Sequence, residues 1–168
     1  MRGSSSVQRY RRTGLGKRCG ALVASVGLLG ACTSGSTEPQ VPYWMDGVTV
    51  ASVARHVQVE LPGTATGAKA AHQRAHDDML LLSFVLPTAE VDGFVDGLKP
   101  ERPLRPGTPF AGEGKLFDRL GLPEPASAPG VRETQVCAPC LARDLDFLQL
   151  AVVRVDERST RLYFRAID

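Results

Sequence analysis

Cys137-Ala138-Pro139-Cys140 is the segment of this 168-residue chain whose residue types and spacing bear most directly on chemistry. Two thiols three positions apart can close a local disulfide, which forms and persists outside a reducing cytoplasm. Together with two imidazoles they can instead hold zinc in a Cys2His2 set. His72 and His76, one helical turn apart if that segment were helical, would supply the other ligands. The disulfide is the lead reading and zinc at His72, His76, Cys137 and Cys140 the alternative, since zinc thiolates compete poorly with oxidation in such a compartment.

The same four residues resemble the Cys-Gly-Pro-Cys of thioredoxin-like proteins. That resemblance implies a redox-active pair, Cys137 and Cys140, set between a strand and a long helix, with further strands and a cis-proline downstream. The chain departs from this pattern: only 28 residues follow Cys140, and none is proline.

Other constellations have plainer readings. His72-Gln73-Arg74-Ala75-His76-Asp77-Asp78 puts nitrogen and carboxylate ligands in one short segment, but its place just before an apolar strand reads as an exposed hairpin or loop. Asp144-Leu145-Asp146 lacks the third ligand and the glycine of a calcium loop. Asp92 and Asp96 are carboxylates four apart on the outer side of an amphipathic helix, and His56 shares a polar face with Gln58 and Glu60. There is no GxSxG elbow, phosphate-cradling GxxxxGK[ST], HExxH or GxGxxG after a strand. No residue is assigned a catalytic role, and no metal or dissociable cofactor is expected.

These residues need elements to position them. Arg55 to Leu61 alternates, with Val57, Val59 and Leu61 on one side, and predicts a strand with one wet face. Met79 to Leu86, apolar on both sides apart from Ser83, predicts a central strand covered above and below. Pro87 ends it, and Thr88 is placed to cap a helix whose Val91, Phe94, Val95 and Leu98 share one face. Seven of the twelve prolines fall between Lys99 and Gly130. Proline lacks the amide donor that ladders and helix interiors need, so most of that stretch must be loop. A short helix over Glu113 to Leu120, closed by Gly121, would pin it to the body. Phe147 to Val155 and Thr160 to Ile167 read as a terminal hairpin, with Leu162, Phe164 and Ala166 inward and Arg161, Tyr163 and Arg165 outward. The pattern predicts an α+β fold: an antiparallel sheet ending in a C-terminal β-hairpin, packed with one or two short helices, plus a long proline-rich loop.

The first 31 residues have the three parts of a secretory signal: a basic stretch ending at Lys17-Arg18, an apolar run from Gly20 to Leu29, and small residues before a cysteine. Six of the twenty basic residues and none of the eighteen acidic ones lie there, so its removal turns the formal +2 into −4. An acidic domain lacks the basic face that binding a polyphosphate requires, and nucleic acid is not expected as a partner.

Leu29-Gly30-Ala31-Cys32 resembles the lipobox of bacterial lipoproteins, in which a diacylglyceryl group is attached to the cysteine thiol before cleavage. Arg11-Arg12 resembles the twin-arginine type of leader, so the export route stays open between Sec and Tat. Together with Leu120-Gly121-Leu122-Pro123-Glu124-Pro125 and the closing Arg161-Leu162-Tyr163-Phe164, the chain looks like the small secreted lipoproteins of actinobacteria. The resemblance implies acylated Cys32 as the anchor, while the layout and composition of the chain make residues 1–31 the signal peptide, residues 32–42 a flexible tether rich in Ser, Thr, Gly and Pro, and 43–168 a single α+β domain. The location implied is the extracytoplasmic face of the cell membrane. A ten-residue spacer of this composition reaches roughly 17 to 19 Å. The expected function is a non-enzymatic binding or interaction domain whose contact surface includes the proline-rich loop from Lys99 to Gly130. A thiol-disulfide oxidoreductase and a zinc-binding lipoprotein are the alternatives.

Overall fold

The computed structural model describes residues 41–168 except 112, 113 and 142–144. The expected signal peptide, the expected anchor Cys32, nearly all of the expected tether, and Asp144 therefore lie outside the described residues. One seven-stranded sheet organises the rest, in the order β1-β2-β3-β7-β6-β5-β4 with every pairing antiparallel. The strands are β1 (Tyr43–Trp44), β2 (Thr66–Arg74), β3 (Met79–Pro87), β4 (Arg105–Pro106), β5 (Arg132–Val136), β6 (Phe147–Arg154) and β7 (Ser159–Ile167). Helices α1 (Val50–His56), α2 (Val91–Gly97) and the single turn α3 (Ala138–Leu141) complete it. This is the expected α+β fold with its terminal hairpin.

Strand β3 sits between β2 and β7, and buries Leu80, Leu82, Phe84 and Leu86 on one face and Met79 and Leu81 on the other. Its near-continuous apolar run is what a strand covered on both sides requires. On the first face the helices supply Val53, Ala54, Val57, Val91, Val95 and Leu98. Phe84 stacks on Phe164 at 5.6 Å between ring centroids and takes the edge of Phe94 at the same separation.

The second face is closed by the proline-rich loop. Phe110, Leu116, Phe117, Leu120 and Leu122 from that loop pack over Ala71, Met79, Leu81, Ala151, Val153 and Tyr163. Tyr163 was expected outward; it is 2% exposed, with Phe117 edge-on at 4.9 Å. The expectation failed because it allowed the hairpin a single buried face, whereas the loop makes the outer face a second core. Burial removes water from the Tyr163 hydroxyl and raises its pKa above the usual phenol range.

Two local readings are corrected. The strand expected over Arg55 to Leu61 is instead the end of α1 and the connection after it. Thr49 accepts from the Ser52 N–H, and the Ser52 side chain bonds back to the Thr49 backbone, a reciprocal cap that starts the helix at Val50. Val53, Ala54 and Val57 then fall on one buried face, and Gln58 turns the chain with φ 52°. The alternation still reported burial correctly, since Val57 and Val59 are inward and Gln58 and Glu60 outward. The helix expected from Glu113 to Leu120 is only a 3-10 turn over Phe117–Leu120. Gly114, at φ 73°, interrupts any helix there, and the Glu124 carboxylate accepts from the Phe117 N–H at 2.5 Å and the Asp118 N–H at 3.2 Å. Gly121, at φ 62°, closes that turn as anticipated.

Candidate functional site

A cleft of about 450 Å³ opens at one end of the helix-covered face, where β3 gives way to α2 and the β6–β7 hairpin turns. Its lining is Thr88, Asp92, Pro129, Gly130, Arg132, Val152, Arg154 and Thr160. Strand register explains how these come together. Arg132 pairs with Val152, Arg154 with Thr160, and Thr160 with Leu86. Cross-strand partners share a face, so Arg132, Arg154 and Thr160 continue the rows that carry Val152, Leu162 and Phe164 into the core. Arg132 and Arg154 are diagonal neighbours across β5 and β6, and such pairs stand roughly 7 to 8 Å apart.

The floor is polar although it lies at the margin of the core. Thr160 is 3% exposed, and its hydroxyl is 2.9 Å from that of Thr88. This bond is why Thr88 does not cap the helix: its side chain turns to the sheet, Thr88–Glu90 form a 3-10 turn, and α2 starts at Val91. Val91, Val95 and Leu98 are buried and Asp92 and Asp96 exposed, as their spacing indicated. Asp92 also reaches Arg132, with Oδ1 3.5 Å from Nη2. Among the described residues Arg154 has no ion pair, so the cleft carries an excess of one positive charge. Pro129 and Gly130, the end of the proline-rich loop, form one wall.

At the opposite end of the sheet two histidines and an arginine each meet a carboxylate. His72 Nε2 donates to Asp78 Oδ2 at 2.9 Å, and Arg74 Nη1 lies 3.2 Å from the same oxygen. The Ala75 N–H donates to Asp78 Oδ1. Burial by itself would raise the Asp78 pKa, but the His72 hydrogen bond, the Ala75 N–H and the Arg74 charge outweigh it and hold the carboxyl below the usual range. His56, at the end of α1, donates from Nε2 to Asp168 Oδ2 at 2.7 Å. Its ring stands edge-on to that of His72, 6.2 Å between centroids. Asp78 and Asp168 exchange two backbone hydrogen bonds, at 3.1 and 3.0 Å. His56, expected to be simply solvated, thus ties a helix to the C-terminus.

Cys137 and Cys140 are joined as a disulfide, with Cα atoms 5.2 Å apart. It closes the turn between β5 and β6 at the start of α3, and Cys140 is exposed. Neither cysteine lines the Thr88–Thr160 cleft. The four residues of the zinc alternative are not brought together. His72 lies on β2, His76 in the exposed turn after it, and their segment is strand and hairpin rather than helix. The row His72, Leu80, Ala166, Leu148, Val136 crosses five strands, and four strand spacings put Cys137's neighbour about 19 Å from His72. Among the described residues no group of three or more His, Cys, Asp or Glu is arranged to hold a metal.

A second, shallower depression of about 640 Å³ runs along α1 between Val50, Ala54, Val59 and Leu61. Among the described residues no helix is long and apolar enough to cross a membrane.

Sequence reasoning did not single out the Thr88, Thr160, Arg132 and Arg154 cleft. A usable signal existed: Arg154 and Thr160 occupy the inward phase of strands whose other inward positions are apolar, and they flank one turn. The partner strand β5 was not anticipated, so nothing indicated that Arg132 would join them. Comparison of the chain with family models, curated proteins and solved structures finds no match in any of the three.

Proposed function

We propose that this chain is a lipoprotein of the extracytoplasmic membrane face, anchored through acylated Cys32, whose folded domain is a non-enzymatic binding module with the Thr88–Thr160 cleft as its contact site. The observation that carries the reading is Leu29-Gly30-Ala31-Cys32, closing a leader that is first basic and then apolar. A single acyl chain holds a protein only marginally, whereas two or more hold a domain firmly on a bilayer without a spanning helix. The Cys137–Cys140 disulfide suits an oxidising compartment. The cleft falls within the roughly 300 to 1,000 Å³ typical of small-molecule sites, and it draws one wall from the proline-rich loop.

Incorporation of radiolabelled fatty acid tests the anchor. Label is expected on the wild-type chain and absent from Cys32→Ala; equal labelling of the two overturns the reading.

A second reading, thiol-disulfide exchange at Cys137 and Cys140, draws on the exposure of Cys140 beside the bond. A reduction potential below about −300 mV would place the pair with structural disulfides, and one near those of the exchange proteins, about −120 to −270 mV, would favour exchange.

A further inference from the structure

We propose that the Thr88–Thr160 cleft binds a small organic oxyanion, its phosphate or carboxylate head held between Arg132 and Arg154 and its neutral part lying on Val152 and Pro129. This deepens the proposed function and rests on the reading of the domain as a binding module.

Three observations carry it. The first is charge: two guanidinium groups line the cleft against one carboxylate, Asp92, and Arg154 has no ion pair among the described residues. Guanidinium groups present paired N–H donors that match the oxygens of phosphate and carboxylate, and such charge-assisted bonds are roughly twice as strong as neutral ones. The second is the floor. The Thr160 hydroxyl is almost wholly buried, and its described side-chain partner is the Thr88 hydroxyl. Two hydroxyls have two donors between them and use one on each other, so one O–H remains for an acceptor in the cleft. The third is size. About 450 Å³ exceeds what a bare inorganic ion fills, and Val152 at the base with Pro129 at the wall offers apolar surface to the remainder of the ligand.

Asp92 sharpens the picture. It is exposed and lies 3.5 Å from Arg132, so it competes for the guanidinium that the ligand head would take. Displacing it exposes no buried charge, because its carboxylate is already 78% exposed. An arriving anion can therefore replace Asp92 at Arg132 at little cost.

The test titrates the full chain, purified in detergent, with phenyl phosphate, benzoate, inorganic phosphate and phenol. Phenyl phosphate or benzoate should bind at least about fivefold more tightly than inorganic phosphate, from apolar contact, while phenol, without a charged head, should bind at least about tenfold more weakly than either. Which of the two binds assigns the head as phosphate or carboxylate. Arg154→Ala should weaken that binding at least about tenfold, Thr160→Val severalfold, and Asp92→Asn should tighten it. Unaltered circular dichroism for Arg154→Ala shows that the loss is not unfolding. No binding of either anion up to about 10 mM, where an affinity of only some 3 kcal/mol would register, overturns the proposal, as does equal binding by phenol or by Arg154→Ala. Because binding is read whether or not Cys32 carries lipid, a chain that binds the anion without being acylated contradicts only the anchor. An acylated chain that binds no anion contradicts only this inference.

Discussion

The two ends of the sheet use the same residue types to opposite effect. At one end His56, His72 and Arg74 each meet a carboxylate, Asp168 or Asp78, within 3.2 Å. At the other, Arg132 shares a longer contact with an exposed Asp92, and Arg154 has no ion pair among the described residues. The difference comes from connectivity. The first end is where β2 turns into β3 and where the C-terminus pairs with that turn, so the charges close a seam between three chain segments. The second end is where β6 turns into β7 and α2 arrives, and the charges there face a cleft. Saturated charges hold segments together, whereas unsaturated ones are available to a ligand.

The largest effect that separates the ends should come from Asp78→Ala. It removes the acceptor for His72, Arg74 and the Ala75 N–H together, and hydrogen bonds to a charged group contribute about 1.5 to 3 kcal/mol each to stability. These bonds share one carboxylate and are not additive, so a loss of about 2 to 4 kcal/mol is expected from urea unfolding, with anion binding unchanged.

Acid should act on the same end. The Asp78 pKa is held low in the folded chain, so its contribution is fully present above the ordinary carboxylate pKa and is lost as pH falls through the lower, folded value. Denaturation midpoints followed downward from neutral pH should fall for the wild type and fall less steeply for Asp78→Ala. Parallel curves would remove Asp78 from the account of acid stability.

The cleft end should be thermodynamically quiet. Arg154→Ala replaces an exposed side chain with no ion pair, and its unfolding free energy should stay within about 0.5 kcal/mol of wild type. A larger destabilisation would mean that Arg154 is structural and that the contrast between the ends is false. Smaller still is Asp92→Asn: an exposed pair of this kind contributes about 0 to 1 kcal/mol, and salt should erase whatever difference thermal melting detects.

How much of this was legible depended on whether the deciding interaction was local. The apolar run of β3 announced a strand buried on both sides, and the hairpin of β6 and β7 declared itself through two runs flanking Asp156-Glu157-Arg158-Ser159. That turn is closed by the Asp156 carboxylate, whose pKa is lowered first by the Arg158 N–H, opposed by modest desolvation, and then by Ser159. Helix α1 was misread because a period-two pattern over Val57, Val59 and Leu61 outweighed the short-range cap at Thr49 and Ser52. Strand β2 went unseen because Gly67-Ala68-Lys69-Ala70-Ala71 has little intrinsic strand preference and extends through its pairing with β3. The proline-rich loop was recognised as loop, but its role as cover for the second core is set by long-range packing of Phe110 and Phe117. The cleft needed three strands and a helix to be placed at once. The proposed leader is the converse case: the reading rests on composition and on Leu29-Gly30-Ala31-Cys32, and involves no fold.

Whether the chain works at a membrane through Cys32 is decided by the intact mass of the protein recovered from membranes of an expressing bacterial cell. The proposed anchor requires a chain beginning at Cys32 whose mass exceeds that of its amino-acid sequence by a diacylglyceryl group. A chain that retains Met1 or begins elsewhere, and carries no lipid, would contradict it.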